Sequence, residues 1–113
     1  MEKLNDIELL KKIKEYDFYH RIKLNDNITT PGINRAQIHR NLKKIGELDL
    51  KGKRVLDIGC RDGIYSFEAE KMGAKEVIGI DNDISKPALE FLIPYFNSKV
   101  KMFEMNLFDL KEE

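Results

Sequence analysis

The chain has one cysteine, Cys60, and no tryptophan. A lone thiol excludes an internal disulfide framework and a cysteine-rich zinc site. Repeats, low-complexity runs and Pro/Gly/Ser-rich linkers are also missing, so nothing in the pattern separates the 113 residues into independent units. Charge of one sign is absent too: 20 Lys and Arg offset 20 Asp and Glu, leaving no global field to draw the chain to nucleic acid or a membrane surface. No apolar stretch approaches membrane-spanning length. Residues Met1 to Glu15 alternate charges with Leu and Ile, without the apolar centre of a signal peptide. These absences lead to the expectation of a cytoplasmic chain with no membrane partner and no metal.

What the chain does have is the run Arg54-Val55-Leu56-Asp57-Ile58-Gly59-Cys60-Arg61-Asp62-Gly63, followed by a second apolar run that closes on Asp81. This reads as strand, glycine turn, helix and second strand ending in a carboxylate, the first half of a nucleotide-binding α/β unit. The spacing is not the G-x-G-x-x-G that cradles a pyrophosphate on a helix N-terminus. Asp57 precedes the first glycine and Asp62 sits in the turn, so a pyrophosphate would meet two carboxylates in a poorly hydrated crevice. S-adenosylmethionine, with a sulfonium, an ammonium and one carboxylate, suits such surroundings better, and NAD becomes the disfavoured alternative. Asp81 follows Gly59 by about 22 residues, the separation at which a βαβ unit delivers an acid to ribose hydroxyls.

Val-Leu-Asp-Ile-Gly-Cys-x-Asp-Gly resembles motif I of the class I S-adenosylmethionine-dependent methyltransferases, and Val77-Ile78-Gly79-Ile80-Asp81 is similar to their second strand. The resemblance implies that Asp57, Gly59, Cys60 and Gly63 surround the methionine part, that Asp81 holds the ribose and that Asn82 to Ile84 lie along the adenosine. After the third strand, Asn106 is the aligned position for accepting from the adenine amino group, with Asp109 as the weaker substitute. Arg61 departs from the pattern, since most of the superfamily has a small residue there, and so long a cation must point outward. Within the superfamily, Asp57 to Glu70 and the entry segment Tyr19-His20-Arg21-Ile22-Lys23-Leu24 with Thr30-Pro31-Gly32 resemble the tRNA wobble-uridine carboxymethyl-transferring subgroup. The resemblance runs from about Tyr16 to Leu110.

The remaining pattern sets out the elements. Asp6 is a plausible cap for a first helix with a stripe of Ile7, Leu10, Ile13 and Leu9. Phe18 to Leu24 reads as extended, Asn25-Asp26-Asn27 as a turn, and about Asn34 to Leu48 as a helix with Ile38, Leu42 and Ile45 on one face. The helix from about Ile64 to Met72 ends at Gly73, Ser85 caps another that Pro94 kinks or ends, and Val100 to Met105 is the third strand.

The expected fold is thus α/β, a Rossmann-like class I methyltransferase sheet truncated after strand 3 in the order 3-2-1. It divides into a helical and extended cap over 1–50 and a cofactor-binding βαβαβ half-domain over 51–113. Strand 1 would be left as an open apolar edge, so a missing C-terminal half or a second chain is expected to complete the sheet. The expected function is S-adenosylmethionine-dependent methyl transfer to a tRNA or a small metabolite, the catalytic residues being unknown. The alternative is a non-catalytic half-domain or subunit that pairs with another chain. His20 reads as a structural or substrate-positioning residue rather than a base, His39 as solvated, Cys60 as a small turn residue, and the basic set Arg35 to Arg54 as a solvated face.

Overall fold

The computed structural model describes residues 4–106 and 108. Its elements run α1 (Asp6–Ile13), α2 (Ala36–Gly46), β1 (Arg54–Ile58), α3 (Ile64–Lys71), β2 (Glu76–Asp81), a π-helical turn (Ala88–Leu92) continuing as α4 (Ile93–Phe96), and β3 (Lys101–Glu104). The three strands form one parallel sheet in the order β1-β2-β3. Because parallel neighbours must be joined by crossovers, α3 and the 88–96 helical stretch carry the chain back to start each new strand. All three strands therefore end on the same edge. Ile58 lies opposite Ile80, and Asp81 opposite Glu104, so the segments leaving β1, β2 and β3 share one rim.

The centre of the sheet is buried and its β1 edge is not. Val77 and Ile80 are buried in β2, whereas Leu56 and Ile58 in β1 are 45% and 54% exposed. The open apolar edge expected from the sequence is present among the described residues. On the other side the core joins the N-terminal segment to the half-domain: Leu9, Ile13, Ile22, Leu24 and Ile28 pack in one cluster with Phe67, Val77, Phe91 and Leu92. Fully burying a side chain such as Leu9, Phe91 or Leu92 contributes about 1.5–3 kcal/mol each.

Two readings of α1 change. The cap is Asn5, whose side chain accepts from the Glu8 N–H at 2.9 Å while the Glu8 carboxylate accepts from the Asn5 N–H, a capping box. Asp6 instead accepts from the side-chain amides of Asn25 and Asn27. The buried line is Leu9 and Ile13, while Ile7 and Leu10 are exposed. Ser85 caps as expected, its Oγ accepting from the Ala88 N–H at 3.1 Å. At Pro94 the stretch changes from a π turn to a short α-helix that ends two residues later. Lacking an N–H, Pro94 sits at the start of α4 beside the π turn, and Asn97 closes the stretch at φ 51°.

The entry segment folds back on itself around the Asn25 turn. The Thr30 N–H donates to the Ile22 carbonyl, and Thr30 Oγ1 both donates to the His20 carbonyl at 2.8 Å and accepts from the Ile22 N–H at 2.9 Å. Gly32 passes so close to His20 that a Cβ there would lie 2.5 Å from its carbonyl carbon. The Thr-Pro-Gly signature is therefore explained by chain packing: threonine bridges two backbone groups and glycine permits the close approach.

Candidate cofactor cleft

The turn after β1 is built from hydrogen bonds to β2. The N–H groups of Gly59 and Cys60 both donate to the Ile80 carbonyl, at 2.8 and 3.0 Å, which folds the chain sharply over the sheet end. Gly59 takes φ 74° and Gly63 takes φ 92°, the left-handed region that glycine enters without a side-chain clash. After β2, Asp81 is buried and accepts from the Arg61 N–H at 2.9 Å through one oxygen and from the Asp83 N–H at 3.0 Å through the other. After β3, the Met105 N–H donates to the Asp81 carbonyl at 2.9 Å, which brings Asn106 beside the β2 terminus.

These loops enclose a cleft of about 220 Å³ lined by Ile58, Gly59, Ile80, Asp81, Asn82, Met105 and Asn106. Four residues expected from the sequence therefore meet here: Gly59, Asp81, Asn82 and Asn106. The other four are placed elsewhere. The Cys60 side chain is buried, and a Cβ at Gly79 would lie 2.8 Å from its sulfur, so it fills the space under the turn. Gly63 is the N-cap of α3, where a Cβ would run into Met102 Cε. Asp57 faces α3 and accepts from Ser66 Oγ at 2.7 Å. Ile84 lines a separate cleft of about 370 Å³ together with Tyr16, Tyr19, Arg61, Asp83 and Lys86. Asp109 lies outside the described residues.

Burial sets the chemistry of the ionisable groups around the turn. It pushes the Asp57 carboxyl up, against the Ser66 hydrogen bond, with the nearby Asp81 charge adding to the rise. The Cys60 thiol is pushed up to about 12 by burial and then by Asp57 and Asp81, so it stays protonated and is no nucleophile at neutral pH. His20 is buried, its pKa is lowered chiefly by desolvation, and its Nδ1 has no partner among the described residues. That environment favours the neutral ring. His39 is exposed and pairs with Asn34 Oδ1 at 2.6 Å, in keeping with a surface role.

One residue that carries the site was misread from the sequence. Asp62 does not line this cleft. It is buried and accepts from the N–H groups of Tyr19 and His20 (2.9 Å to the latter) and from Ser85 Oγ at 2.6 Å. Asp62 would therefore act on a bound anion only through space, while Asp81 is the acid that lines the cleft. Ser66, which orients Asp57, was also missed as a site residue, although it lies within the quoted motif run.

A family model described as ribosomal protein L11 methyltransferase (PrmA) matches residues 39–90. The ribosomal protein L11 methyltransferase of Deinococcus radiodurans is 48% identical over 42 residues, which is 37% of this chain and 15% of that protein. Among solved structures, the N-terminal domain of EvdMO1 in the presence of SAH and D-fucose is similar with a TM-score of 0.70 at 13% identity, over 96% of this chain and 48% of that one. The ribosomal protein L11 methylase from Lactobacillus delbrueckii subsp. bulgaricus gives a TM-score of 0.57 at 21% identity, over 79% of this chain and 59% of that one. The fold is that of the class I S-adenosylmethionine-dependent methyltransferases. This chain has three parallel strands of such a sheet, and it spans only a small part of the length of the curated relatives it matches.

The cleft has room and hydrogen-bonding capacity for a ligand such as S-adenosylmethionine. Each Asp81 oxygen has spent one acceptor site on a backbone N–H and keeps another for a ribose hydroxyl. Nothing lies within 4 Å of a Cβ built on Gly59, so the backbone there is open to close approach. Ile58, Ile80 and Met105 offer apolar surface. Asn106 Oδ1 accepts from the Phe108 N–H at 3.0 Å and retains a lone pair for an amino group. Among the described residues, no helix is long and apolar enough to cross a membrane.

Proposed function

We propose that this chain is the cofactor-binding portion of a cytoplasmic methyltransferase, and that Gly59, Asp81, Asn82 and Asn106 hold S-adenosylmethionine at the C-terminal rim of β1, β2 and β3. The observation that carries this reading is the convergence of those four residues on one cleft beneath the matched motif. Bound there, the cofactor supplies an electrophilic methyl on a sulfonium. The chain's part is placement: Asp81 fixes the ribose, the open Gly59 backbone admits the methionine end, and Asp57 contributes negative charge near the sulfonium. Holding reactants in line accelerates a displacement without a dedicated base when the acceptor is already nucleophilic.

The acceptor to test first is a ribosomal protein of the L11 type, because relatives sharing the matched stretch carry that name. That stretch covers the cofactor turn, and its length is 15% of the first relative, so it speaks for the cofactor more strongly than for the acceptor. The tRNA acceptor rests on the resemblance of Asp57 to Glu70 and of the entry segment to one subgroup, and the relatives compared above add no support for it. The open edge of β1, with Leu56 and Ile58 exposed beside a groove lined by Leu48, Leu50 and Val55, favours a further stretch of polypeptide or a second chain covering it. The half-domain division at 50/51 is proposed on the same footing.

The experiment is calorimetric titration of the chain with S-adenosylhomocysteine, with NAD as control. Saturable binding of S-adenosylhomocysteine alone is expected. Binding of NAD in its place, or of neither to a folded chain, overturns the assignment. Transfer of labelled methyl from S-adenosylmethionine to L11 and to tRNA then separates the acceptors.

A further inference from the structure

Arg61 is a non-glycine residue in the left-handed region, at φ 47°. That conformation is unfavourable for a residue with a Cβ and persists where the surroundings hold it. Here three contacts do so. The Arg61 N–H donates to Asp81 Oδ2 at 2.9 Å, the guanidinium pairs with Asp83 Oδ2 at 3.1 Å, and its carbon lies 4.6 Å from the centre of the Tyr19 ring. The next residue, Asp62, accepts from the Tyr19 and His20 N–H groups and from Ser85. Residues 61 and 62 thus touch both the entry segment and the loop after β2, while Arg61 and Asp83 also wall the 370 Å³ cleft beside the cofactor cleft.

We propose that Arg61 is a positioning residue that couples the entry segment at Tyr19–His20 to the loop Asp81–Asp83, so that docking of the cap and orientation of the Asp81 carboxylate occur together. The consequence for ligand affinity rests on the cofactor reading above; the coupling itself does not. A left-handed backbone turns the Arg61 side chain outward over Tyr19, and the same residue's N–H fixes the acid expected to grip ribose. Opening the entry segment withdraws the ring from the guanidinium and loosens its pairing with Asp83, two residues from Asp81. Glycine at this position would hold the turn and keep the N–H to Asp81, but it would lose both side-chain contacts and leave Asp62 as the remaining link to the entry segment.

The test uses this chain with Arg61→Gly and Arg61→Lys. In the free protein, hydrogen exchange at the Tyr19, His20 and Asp83 amides is expected to quicken together in Arg61→Gly, while the Ile78 and Ile80 amides in β2 keep their rates. The melting temperature should stay near that of the parent, since glycine accepts the positive φ. S-adenosylhomocysteine affinity should fall about fivefold in Arg61→Gly, the size expected from one exposed cation–π contact and one surface ion pair, with Arg61→Lys between. Unchanged exchange at Tyr19, His20 and Asp83 overturns the coupling, and so does equal affinity in a parent that binds. A parent that binds no S-adenosylhomocysteine but shows the exchange response sinks the cofactor reading and leaves the coupling standing.

Discussion

On the rim of the Gly59–Gly63 turn, a side chain begun at Gly59 would meet nothing within 4 Å, whereas on the underside one begun at Gly63 would meet Met102 and Phe67. The same contrast holds for the acids. Asp81 reaches the rim with unused acceptor capacity, while Asp62 is turned under it, occupied by Tyr19, His20 and Ser85. Five consecutive residues therefore present two faces, one open above and one bonded to the entry segment below. Sequence motifs record both without distinguishing them.

Removing Asp62 should give the largest effect and should fall on stability. Asp62→Ala leaves two backbone N–H groups and the Ser85 hydroxyl without their acceptor in a buried site, and a buried polar group left unsatisfied costs about 1–3 kcal/mol. A loss of about 3 kcal/mol or more is expected in urea unfolding, with Asp62→Asn milder because its amide oxygen still accepts. A loss under about 1 kcal/mol would mean that the underside does not hold the cap.

The paired glycines sharpen the contrast. Gly63→Ala should cost about 2–4 kcal/mol, from positive φ and overpacking against Met102, while leaving the affinity of the folded fraction for S-adenosylhomocysteine intact. Gly59→Ala should cost only about 1–2 kcal/mol, from φ 74° alone, but reduce affinity by about tenfold or more because the methyl enters the cleft. Even open space at Gly59 does not make a bulky β-branched residue harmless there, because its φ remains strained. If the two variants damage stability and binding in the same ratio, rim and underside are not distinct.

Asp81→Asn comes next. It should weaken S-adenosylhomocysteine binding by about 1–2 kcal/mol, since one oxygen is exchanged for an N–H that cannot accept from ribose or from a backbone donor. Calorimetry showing unchanged affinity would remove Asp81 from the ribose.

How much of this was legible depends on which partner each residue uses. The β1-turn-α3-β2 order could be read because alternating apolar runs, turn glycines and the closing Asp81 are all local signals. Gly59, Asp81, Asn82 and Asn106 converge because parallel strands end on one edge, a consequence of topology that fixed spacing reports. The role of Asp62 left no trace because two of its three donors are backbone N–H groups 42 and 43 positions away, which every residue type but proline carries, and the third is the distant Ser85 hydroxyl. In α1, Asn5 and Asp6 are both good caps, and only the distance to the Glu8 N–H chooses between them. Ile7 and Leu10 mislead because so short a helix buries only the narrow line through Leu9 and Ile13.

The smallest effect tests whether Asp57 belongs with the rim or the underside, since it is half-buried against Ser66 yet adds charge near the turn. Its pKa is raised by burial, so the folded state tolerates the protonated acid better than the carboxylate. That preference favours folding below the ordinary carboxylate range and is lost as pH rises through the folded pKa. Asp57→Asn removes the titration and keeps an oxygen for the Ser66 hydroxyl. The variant should melt close to the parent at about pH 3, where Asp57 is protonated in both states, and above it at pH 7. If the charge also faces the sulfonium, the affinity ratio of S-adenosylmethionine to S-adenosylhomocysteine, whose thioether sulfur is neutral, should be lower in the variant than in the parent. An identical melting difference at both pH values would refute the burial argument. An unchanged ligand ratio would assign Asp57 to packing, leaving Asp81 as the acid at the cofactor.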